Sequence, residues 1–342
     1  MDTIPGMIPL RFPRFWQRGR DFLGVEVPLI AGAMTWISDA RLVREVSAAG
    51  AFGVLAGGSM PVTALHAEID RLQGEETYGV NLITIGPQYQ EQLAAVCARR
   101  VPFIVFAGSF PRREEVERAK ASGAKVLCFA STDSIAERMI HYGADGLILE
   151  GSESGGHVGH VSTLVLIQQV LFQFPQVPIF VAGGIATGRM IAHLLLMGAA
   201  GVQMGTIFAM SEESPAHPLF KERYIRARAR EAMATPQYHS SLPVVAVRAL
   251  KNEGTEEFGR LQLELLGKLE RGEITRQEAQ FQVEGFWAGA LRRAVQEGDI
   301  DRGSLMAGQS VGLISEIRPV REIVRTLTRE AEETFDRLGM AR

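Results

Sequence analysis

One glycine-rich stretch near the middle of the chain carries two carboxylates and two histidines. It runs from Glu150 to His160 and has the sequence Glu-Gly-Ser-Glu-Ser-Gly-Gly-His-Val-Gly-His. Glycines let backbone N–H groups approach a ligand closely, because no Cβ stands in the way. His157 follows two glycines, and an imidazole ordinarily titrates near neutral pH. It is therefore the candidate catalytic acid or base.

The same stretch also contains residue types that bind metal ions. Glu150, Glu153, His157 and His160 are the candidate ligands. Their spacing matches no established signature, such as His-Glu-x-x-His on one helix. The sequence therefore predicts no metal site, and it leaves Glu150 and Gly155 as candidate contacts to an organic cofactor.

Other candidate binding residues stand where further short apolar runs end. Small residues after the first run would let a flat ring lie against the backbone, and a lone amide in the third run would need a polar partner. Glycines after the last two runs suit a phosphate group. These candidates are Gly32, Ala33, Met34, Asn81, Gly183, Gly184, Gln203, Met204, Gly205 and Thr206.

The phosphate prediction does not extend to every nucleotide. The chain has neither a Gly-x-Gly-x-x-Gly after a first strand nor a Gly-x-x-x-x-Gly-Lys-Ser/Thr motif, which disfavours a Rossmann dinucleotide and a P-loop nucleotide. Flavin mononucleotide (FMN) and a sugar phosphate both fit, and the residues alone do not separate them.

The elements that must position these residues follow a regular alternation. Apolar runs without polar alternation suit strands buried on both faces of a parallel sheet. Amphipathic segments of helical length separate most of them, which predicts a (β/α)8 barrel, with a doubly wound sheet as the alternative. The predicted strands are Val27–Ala31, Phe52–Ala56, Tyr78–Ile83, Phe103–Ala107, Lys125–Ala130, Gly146–Leu149, Pro178–Ala182 and Gly201–Met204.

The alternation stops after the eighth strand. We expect an irregular arm over residues 1–23 and a barrel formed by residues 24–235 and 303–342. Residues 236–302, which we call the excursion, are predicted to form a helical, lid-like subdomain. Lys221–Ala234 is predicted as a helix, and the C-terminal helix Arg318–Leu338 is expected to cover the barrel mouth together with the excursion.

Composition limits the class of protein. The chain has 342 residues and a net charge of -3, which argues against a nucleic-acid partner. No apolar run approaches the length of a membrane span. Its two cysteines lack metal-type spacing, and the N-terminus lacks a signal-peptide pattern. We expect a soluble, cytoplasmic protein.

At these same residues the chain resembles a known superfamily. Glu150–Gly159 is similar to the Glu/Gln-Gly-x-Glu-Ala-Gly-Gly-His-x-Gly motif of FMN-dependent 2-nitropropane dioxygenase-like enzymes, which include nitronate monooxygenases and FabK-type enoyl-[acyl-carrier-protein] reductases. Further segments match in order over about residues 24–335. They are Gly32–Trp36, Gly79–Asn81, Ala182–Ala186, Gln203–Thr206, Ser214–Pro218, Val247–Asn252 and Gly303–Gln309.

The resemblance implies a TIM barrel that binds FMN. The phosphate would lie at Gly184 and Gly205–Thr206, and the isoalloxazine near Gly32–Met34, Asn81, Glu150 and Gly155. His157 matches the family's essential histidine, and Gln309 belongs to a tail segment that closes over the cofactor in the enoyl reductases.

Two activities follow from the resemblance. The first is reduction of the trans-2 double bond of an enoyl thioester with NADH or NADPH as co-substrate, with acyl carrier protein and a second copy of the chain as protein partners to consider. The alternative is oxidation of alkyl nitronates with O2. A non-catalytic flavin- or phosphate-binding barrel and a sugar-phosphate enzyme are further alternatives. The family usually has arginine at Ile207 and glycine at Ala33, so the substrate stays open.

Overall fold

A closed barrel of eight parallel strands forms the centre of the molecule in the computed structural model, which describes residues 9–242 and 245–341. The strands are short, and nearly all of their residues are buried. They are β1 (Leu29–Ala31), β2 (Phe52–Leu55), β3 (Tyr78–Ile83), β4 (Phe103–Ala107), β5 (Lys125–Ala130), β6 (Gly146–Glu150), β8 (Ile179–Ala182) and β9 (Gly201–Met204). The predicted (β/α)8 barrel is confirmed.

The register closes the barrel between its first and last strands. Ile30 in β1 pairs with Phe52 on one side and with Gln203 on the other, so neither strand keeps a free edge. Glu150, the last residue of β6, pairs with Ala182, the last residue of β8. Polar residues at the carboxyl ends of separate strands therefore meet at one rim, where barrels of this type carry their sites.

Helices alternate with the barrel strands as predicted. Asp39 and Thr132 cap the helices that they precede by accepting backbone N–H groups. The helices outside the strands are α1 (Pro13–Leu23), α2 (Ala40–Ala48), α3 (Val62–Arg71), α4 (Tyr89–Ala98), α5 (Arg113–Ala121), α6 (Asp133–His141), α7 (Thr163–Leu166, continued by a π-helical turn over Ile167–Leu171), α8 (Gly188–Leu196), α9 (Thr206–Ala209) and α10 (Pro218–Ile225).

The segment predicted as an irregular arm contains helix α1. Pro13 stands in its first turn, where a missing N–H costs nothing, and Gly24 ends it in the left-handed conformation. The helix is docked on the body of the protein, because the Trp16 indole Nε1 donates to Glu332 Oε1 at 2.8 Å. Residues 1–8 of the predicted arm lie outside the described residues.

The C-terminal helix α13 (Val320–Arg337) does not cover the barrel mouth, contrary to the prediction. It packs on the outside of the barrel, mainly against α8 and also against α2. Its apolar stripe, which includes Val324, Leu327 and Ala331, needs an apolar partner that solvent at the mouth would not provide. Helix α9 has only one turn, so α13 fills the place of the eighth outer helix.

The excursion contains two long helices, α11 (Glu253–Glu270) and α12 (Arg276–Arg292), and α12 continues as a π-helical turn over Arg293–Glu297. A separate hydrophobic cluster that includes Phe258, Leu265 and Trp287 joins them. Within the described residues, no helix is both long and apolar enough to cross a membrane.

A small antiparallel sheet connects the excursion to the barrel. Its strands are β10 (Ala232–Ala234), β11 (Val247–Leu250) and β7 (Gly156–His157). The predicted helix Lys221–Ala234 is therefore wrong in its second half, since α10 ends at Ile225. Alanine and arginine favour helix there, but pairing of β10 with β11 overrides that preference.

Candidate active site at the mouth of the barrel

A pocket opens at the carboxyl ends of the barrel strands. Its cavity volume is about 210 Å³. The lining comes from loops after β1, β4, β6, β8 and β9, from the excursion, and from the segment that follows it.

Nearly all residues predicted for the site line this pocket. They are Gly32, Ala33, Met34, Asn81, Glu150, Gly155, His157, Gly183, Gly184, Gln203, Met204, Gly205 and Thr206. Gln309 is not among the lining residues. Its backbone N–H donates to the Glu153 carbonyl at 2.9 Å, and its neighbours Gly308 and Ser310 reach the pocket instead.

Two glycines leave bare backbone at the wall of the pocket. At Gly205 an added Cβ would meet only Met34, with its sulfur at 3.6 Å, and the backbone has ordinary dihedrals. Neither packing nor backbone geometry therefore requires glycine there. Gly184 has a φ of +71° and also lines the pocket. Bare backbone at both positions fits the phosphate end of FMN.

The side chain of Thr206 supports the same assignment. Its Oγ1 accepts the Gly308 N–H at 3.1 Å, so the hydroxyl hydrogen remains available to donate to an anion. Among the described residues, no lysine or arginine lines the pocket, so a phosphate would be held by backbone N–H groups and this hydroxyl. Ile207, where the family usually has arginine, packs against the main hydrophobic core.

Asn81 and Glu150 provide the polar groups deeper in the pocket. The Asn81 amide Nδ2 donates to the Val105 carbonyl at 3.2 Å, which fixes the amide plane. Burial raises the pKa of the Glu150 carboxyl to about 8. A carboxylic acid that stays protonated near neutral pH can donate a hydrogen bond to a heteroaromatic ring edge.

The loop after β6 is fastened on both sides. Glu153 Oε2 accepts from the Thr163 backbone N–H at 3.0 Å and from its Oγ1 at 2.8 Å, which ties the loop to α7. At Gly155 an added Cβ would lie 2.5 Å from the Gly308 nitrogen, so only glycine lets the later segment pass. Glu153 is thus used for loop structure.

His157 is held by the excursion as well as by the barrel. Its backbone lies in β7, where it pairs with Val247 of β11. Its ring Nε2 lies 3.2 Å from Oε2 of Glu284 in α12. This contact was not predicted, because Glu284 resembles a solvated residue among the polar residues of that helix.

Other residues that line the pocket were not predicted from the sequence. Leu291 comes from α12 and Met306 from the segment after the excursion. The buried Tyr224 hydroxyl donates to the Met306 carbonyl at 2.7 Å and holds that segment in place. One signal was present for α12: its run Ala288-Gly-Ala-Leu291 is apolar around the whole helix, which indicates burial on two sides.

Comparison with known proteins agrees with this geometry. The family model for nitronate monooxygenase matches residues 17–84 and 70–330, which is most of the chain. The chain belongs to the nitronate monooxygenase family. The family and its structural neighbours are flavin-dependent oxidoreductases, and this protein is an enzyme of that kind.

The chain is similar to relatives whose names describe different activities. FabK from Thermotoga maritima is 34% identical, with a TM-score of 0.82, over 97% of this chain and 99% of its own. A (3aS,4S,5R,7aS)-5-hydroxy-7a-methyl-1-oxo-octahydro-1H-indene-4-carboxyl-CoA dehydrogenase from Mycobacterium tuberculosis is 27% identical over 91% of this chain and 94% of its own. A probable nitronate monooxygenase from Staphylococcus haemolyticus is 27% identical over 68% of this chain and 78% of its own.

Proposed function

We propose that this enzyme reduces the 2,3 double bond of an enoyl thioester with NADH or NADPH. The observation that carries the proposal is the extent of the likeness to FabK. It spans 97% of this chain, so it includes the excursion and the tail segment that complete the pocket. The probable nitronate monooxygenase matches 68% of the chain. A relative whose name describes a CoA-linked substrate supports a thioester.

FMN is the cofactor that the pocket fits. Gly184, Gly205 and Thr206 would hold its phosphate, and Gly32 and Ala33 would leave a flat wall for its ring system. Asn81 and Glu150 would meet the polar edge of the ring. When bound, the flavin supplies hydride transfer between the pyridine nucleotide and the substrate.

His157 would act on the substrate side of the site. Its ring lines the pocket and is held from two directions, by β11 through its backbone and by α12 through Glu284. In the proposed reaction it polarises or protonates the carbonyl end of the enoyl thioester, which gains negative charge as the double bond is reduced. The excursion would exclude water from this step.

The second candidate is nitronate oxidation with O2, in which His157 would serve as the base. The family model itself favours it, because it describes nitronate monooxygenases and matches most of the chain. The two activities differ in whether a pyridine nucleotide is consumed and in whether O2 is required.

Anaerobic stopped-flow absorbance of the purified flavoprotein separates them. The protein is mixed with NADH, with NADPH and, separately, with an alkyl nitronate. Rapid bleaching of the flavin by a pyridine nucleotide, followed by reoxidation with crotonyl-CoA, is the expected result. Bleaching by the nitronate alone would contradict the reductase and support the monooxygenase.

A further inference from the structure

We propose that Glu284 is the positioning residue of His157. Its carboxylate, presented by the excursion, fixes which nitrogen of the imidazole carries hydrogen and which one faces the substrate. The proposal rests on the role given to His157 above. It adds a residue that the resemblance did not indicate.

The contact joins two side chains that are largely withdrawn from solvent. The His157 side chain is 25% exposed and that of Glu284 is 15% exposed, with 3.2 Å between Nε2 and Oε2. Nε2 is buried and makes no hydrogen bond with the described residues, although Oε2 of Glu284 lies 3.2 Å away. A buried polar atom without a hydrogen bond is uncommon, and this carboxylate oxygen is close enough to accept one from it.

The chemistry of the carboxylate gives the contact a direction. An ionised carboxylate only accepts hydrogen bonds, so it selects the imidazole tautomer with hydrogen on the nitrogen that faces it. Nε2 would carry that hydrogen, and Nδ1 would be left to exchange a proton with the substrate. This tautomer is inferred from the neighbours of the ring.

Helix α12 holds Glu284 in register with the barrel. Glu284, Ala288 and Leu291 lie on one face of the helix, spaced by four and three residues. The Ala288 carbonyl accepts the Trp36 indole Nε1–H at 3.0 Å, and Leu291 lines the pocket. The face that carries Glu284 is therefore seated against the loop after β1 and the pocket.

Other charged groups surround the histidine without competing for it. Glu150 lines the same pocket, and Arg248 of β11 stands beside β7. The Arg248 Nε donates to the Ser152 carbonyl at 3.0 Å. Among the described residues, Glu284 is the one carboxylate at ion-pair distance from the His157 ring.

The test uses the full chain with its flavin, labelled with 15N-histidine. The chain has seven histidines, and H157A assigns the His157 ring signals. We expect wild-type His157 to show hydrogen on Nε2 in its neutral form. E284Q keeps the size of the side chain but can also donate a hydrogen bond, so we expect the population of that tautomer to fall.

The matched control is E264Q, which removes the same charge from an exposed position of α11 that pairs with Lys268. It should leave the His157 signals unchanged. If the positioning role holds, E284Q also lowers kcat about tenfold or more at little change in KM, since the substrate contacts are kept.

Two results would overturn the proposal. One is identical ring 15N signals in wild type and E284Q. The other, which needs no E284Q protein, is hydrogen on Nδ1 of His157 in the wild type, with the signals assigned by their absence from H157A. Neither depends on the substrate, so failure of NAD(P)H to bleach the flavin would remove the proposed function and leave the tautomer result standing.

Discussion

The barrel and the excursion contribute different kinds of chemical group to one site. The barrel contributes mainly backbone, through Gly183, Gly184 and Gly205 at the ends of its last two strands. The excursion contributes the side chain of Leu291 to the lining, and its Glu284, which does not line the pocket, contacts the ring of His157. The wall proposed to hold the phosphate of the cofactor thus depends mainly on backbone, with one hydroxyl added by Thr206. The group proposed to act on the substrate depends on a helix far away in the sequence.

This difference predicts that substitutions in the barrel wall and in the excursion affect different measurable properties. Added side chains on the barrel wall should release the cofactor and leave the histidine in place. Changes on the excursion should alter turnover or local opening and leave the cofactor bound.

Removing the histidine should separate chemistry from binding most clearly. In H157A we expect turnover to fall by about 10²- to 10⁴-fold, the usual contribution of general acid–base catalysis. The flavin content should stay the same, because the barrel wall is unchanged. Steady-state kinetics and the flavin-to-protein absorbance ratio measure both. H160A, at an exposed position of the same loop, is the control, and full turnover in H157A would remove the catalytic role.

Adding one methyl group to the barrel wall should weaken cofactor binding and leave His157 in place. At Gly183, φ is +103° and a Cβ would lie 2.9 Å from Ser154 Oγ. Backbone strain of about 1–2 kcal/mol in this region, together with the displaced side chain, should weaken FMN binding about tenfold or more in G183A. Equilibrium titration of the deflavinated protein with FMN measures this.

G198A provides a control that matches the backbone strain. Gly198 has a φ of +100°, and an added Cβ meets nothing within 4 Å. It should lower the melting temperature as G183A does but leave FMN affinity unchanged. Equal loss of FMN affinity in both variants would show that strain alone, wherever it lies, explains the effect.

Glu150 tests the electrostatics of the barrel side. Burial raises the pKa of its carboxyl to about 8, whereas an unfolded glutamate titrates near 4.3. The folded protein therefore binds this proton more tightly, so the group's contribution to stability is lost progressively as pH rises between these values. In E150Q this loss is absent.

We expect deflavinated E150Q to gain thermal stability relative to wild type as pH increases from about 4.5 to 8, by roughly 2 °C or more at the upper end. Scanning calorimetry of both proteins over this range measures it. A difference in melting temperature that does not vary with pH would show that the Glu150 carboxyl is not desolvated in the folded protein.

The smallest expected effect concerns the contact between the excursion and the loop after β1. W36F removes the hydrogen bond from Trp36 to the Ala288 carbonyl, a contribution of about 0.5–1.5 kcal/mol. Amide exchange in α12 should accelerate by about tenfold at most, with exchange in the barrel strands unchanged. W16F loses an indole hydrogen bond to Glu332 on the barrel side, and it should loosen α13 and leave α12 as in wild type. Unchanged exchange of α12 in W36F would indicate that packing alone seats it.

The same division explains what could be predicted from the sequence. Each barrel strand is an apolar run bounded by turn residues, so β3, β4, β5 and β9 were predicted to the residue. Because parallel strands bring their carboxyl ends to one rim, the predicted barrel was enough to group residues as distant in sequence as Gly32 and Thr206.

The contacts that were missed depend on packing between elements. A helical pattern showed that α12 exists, but not which residues its two buried faces meet, Phe258 on one side and His157 on the other. The amphipathic pattern of α13 does not reveal that it replaces a missing outer helix. Pairing between β10 and β11 joins two segments that are separated in the sequence. Local residue preferences do not contain this pairing, and by themselves they favoured helix at β10.

The pairing of β7 with β11 has a consequence for the order in which the molecule is assembled. All eight barrel strands are complete once the chain has passed Met204, whereas the strand that holds the backbone of His157 begins at Val247. A chain emerging from the ribosome can therefore close its barrel first, and domains generally fold in that direction. His157, the proposed acid or base, gains its contacts with β11 and α12 only when the excursion docks. In the proposed function, a closed barrel is therefore not yet a competent enzyme, and docking of the excursion is a separate requirement for turnover.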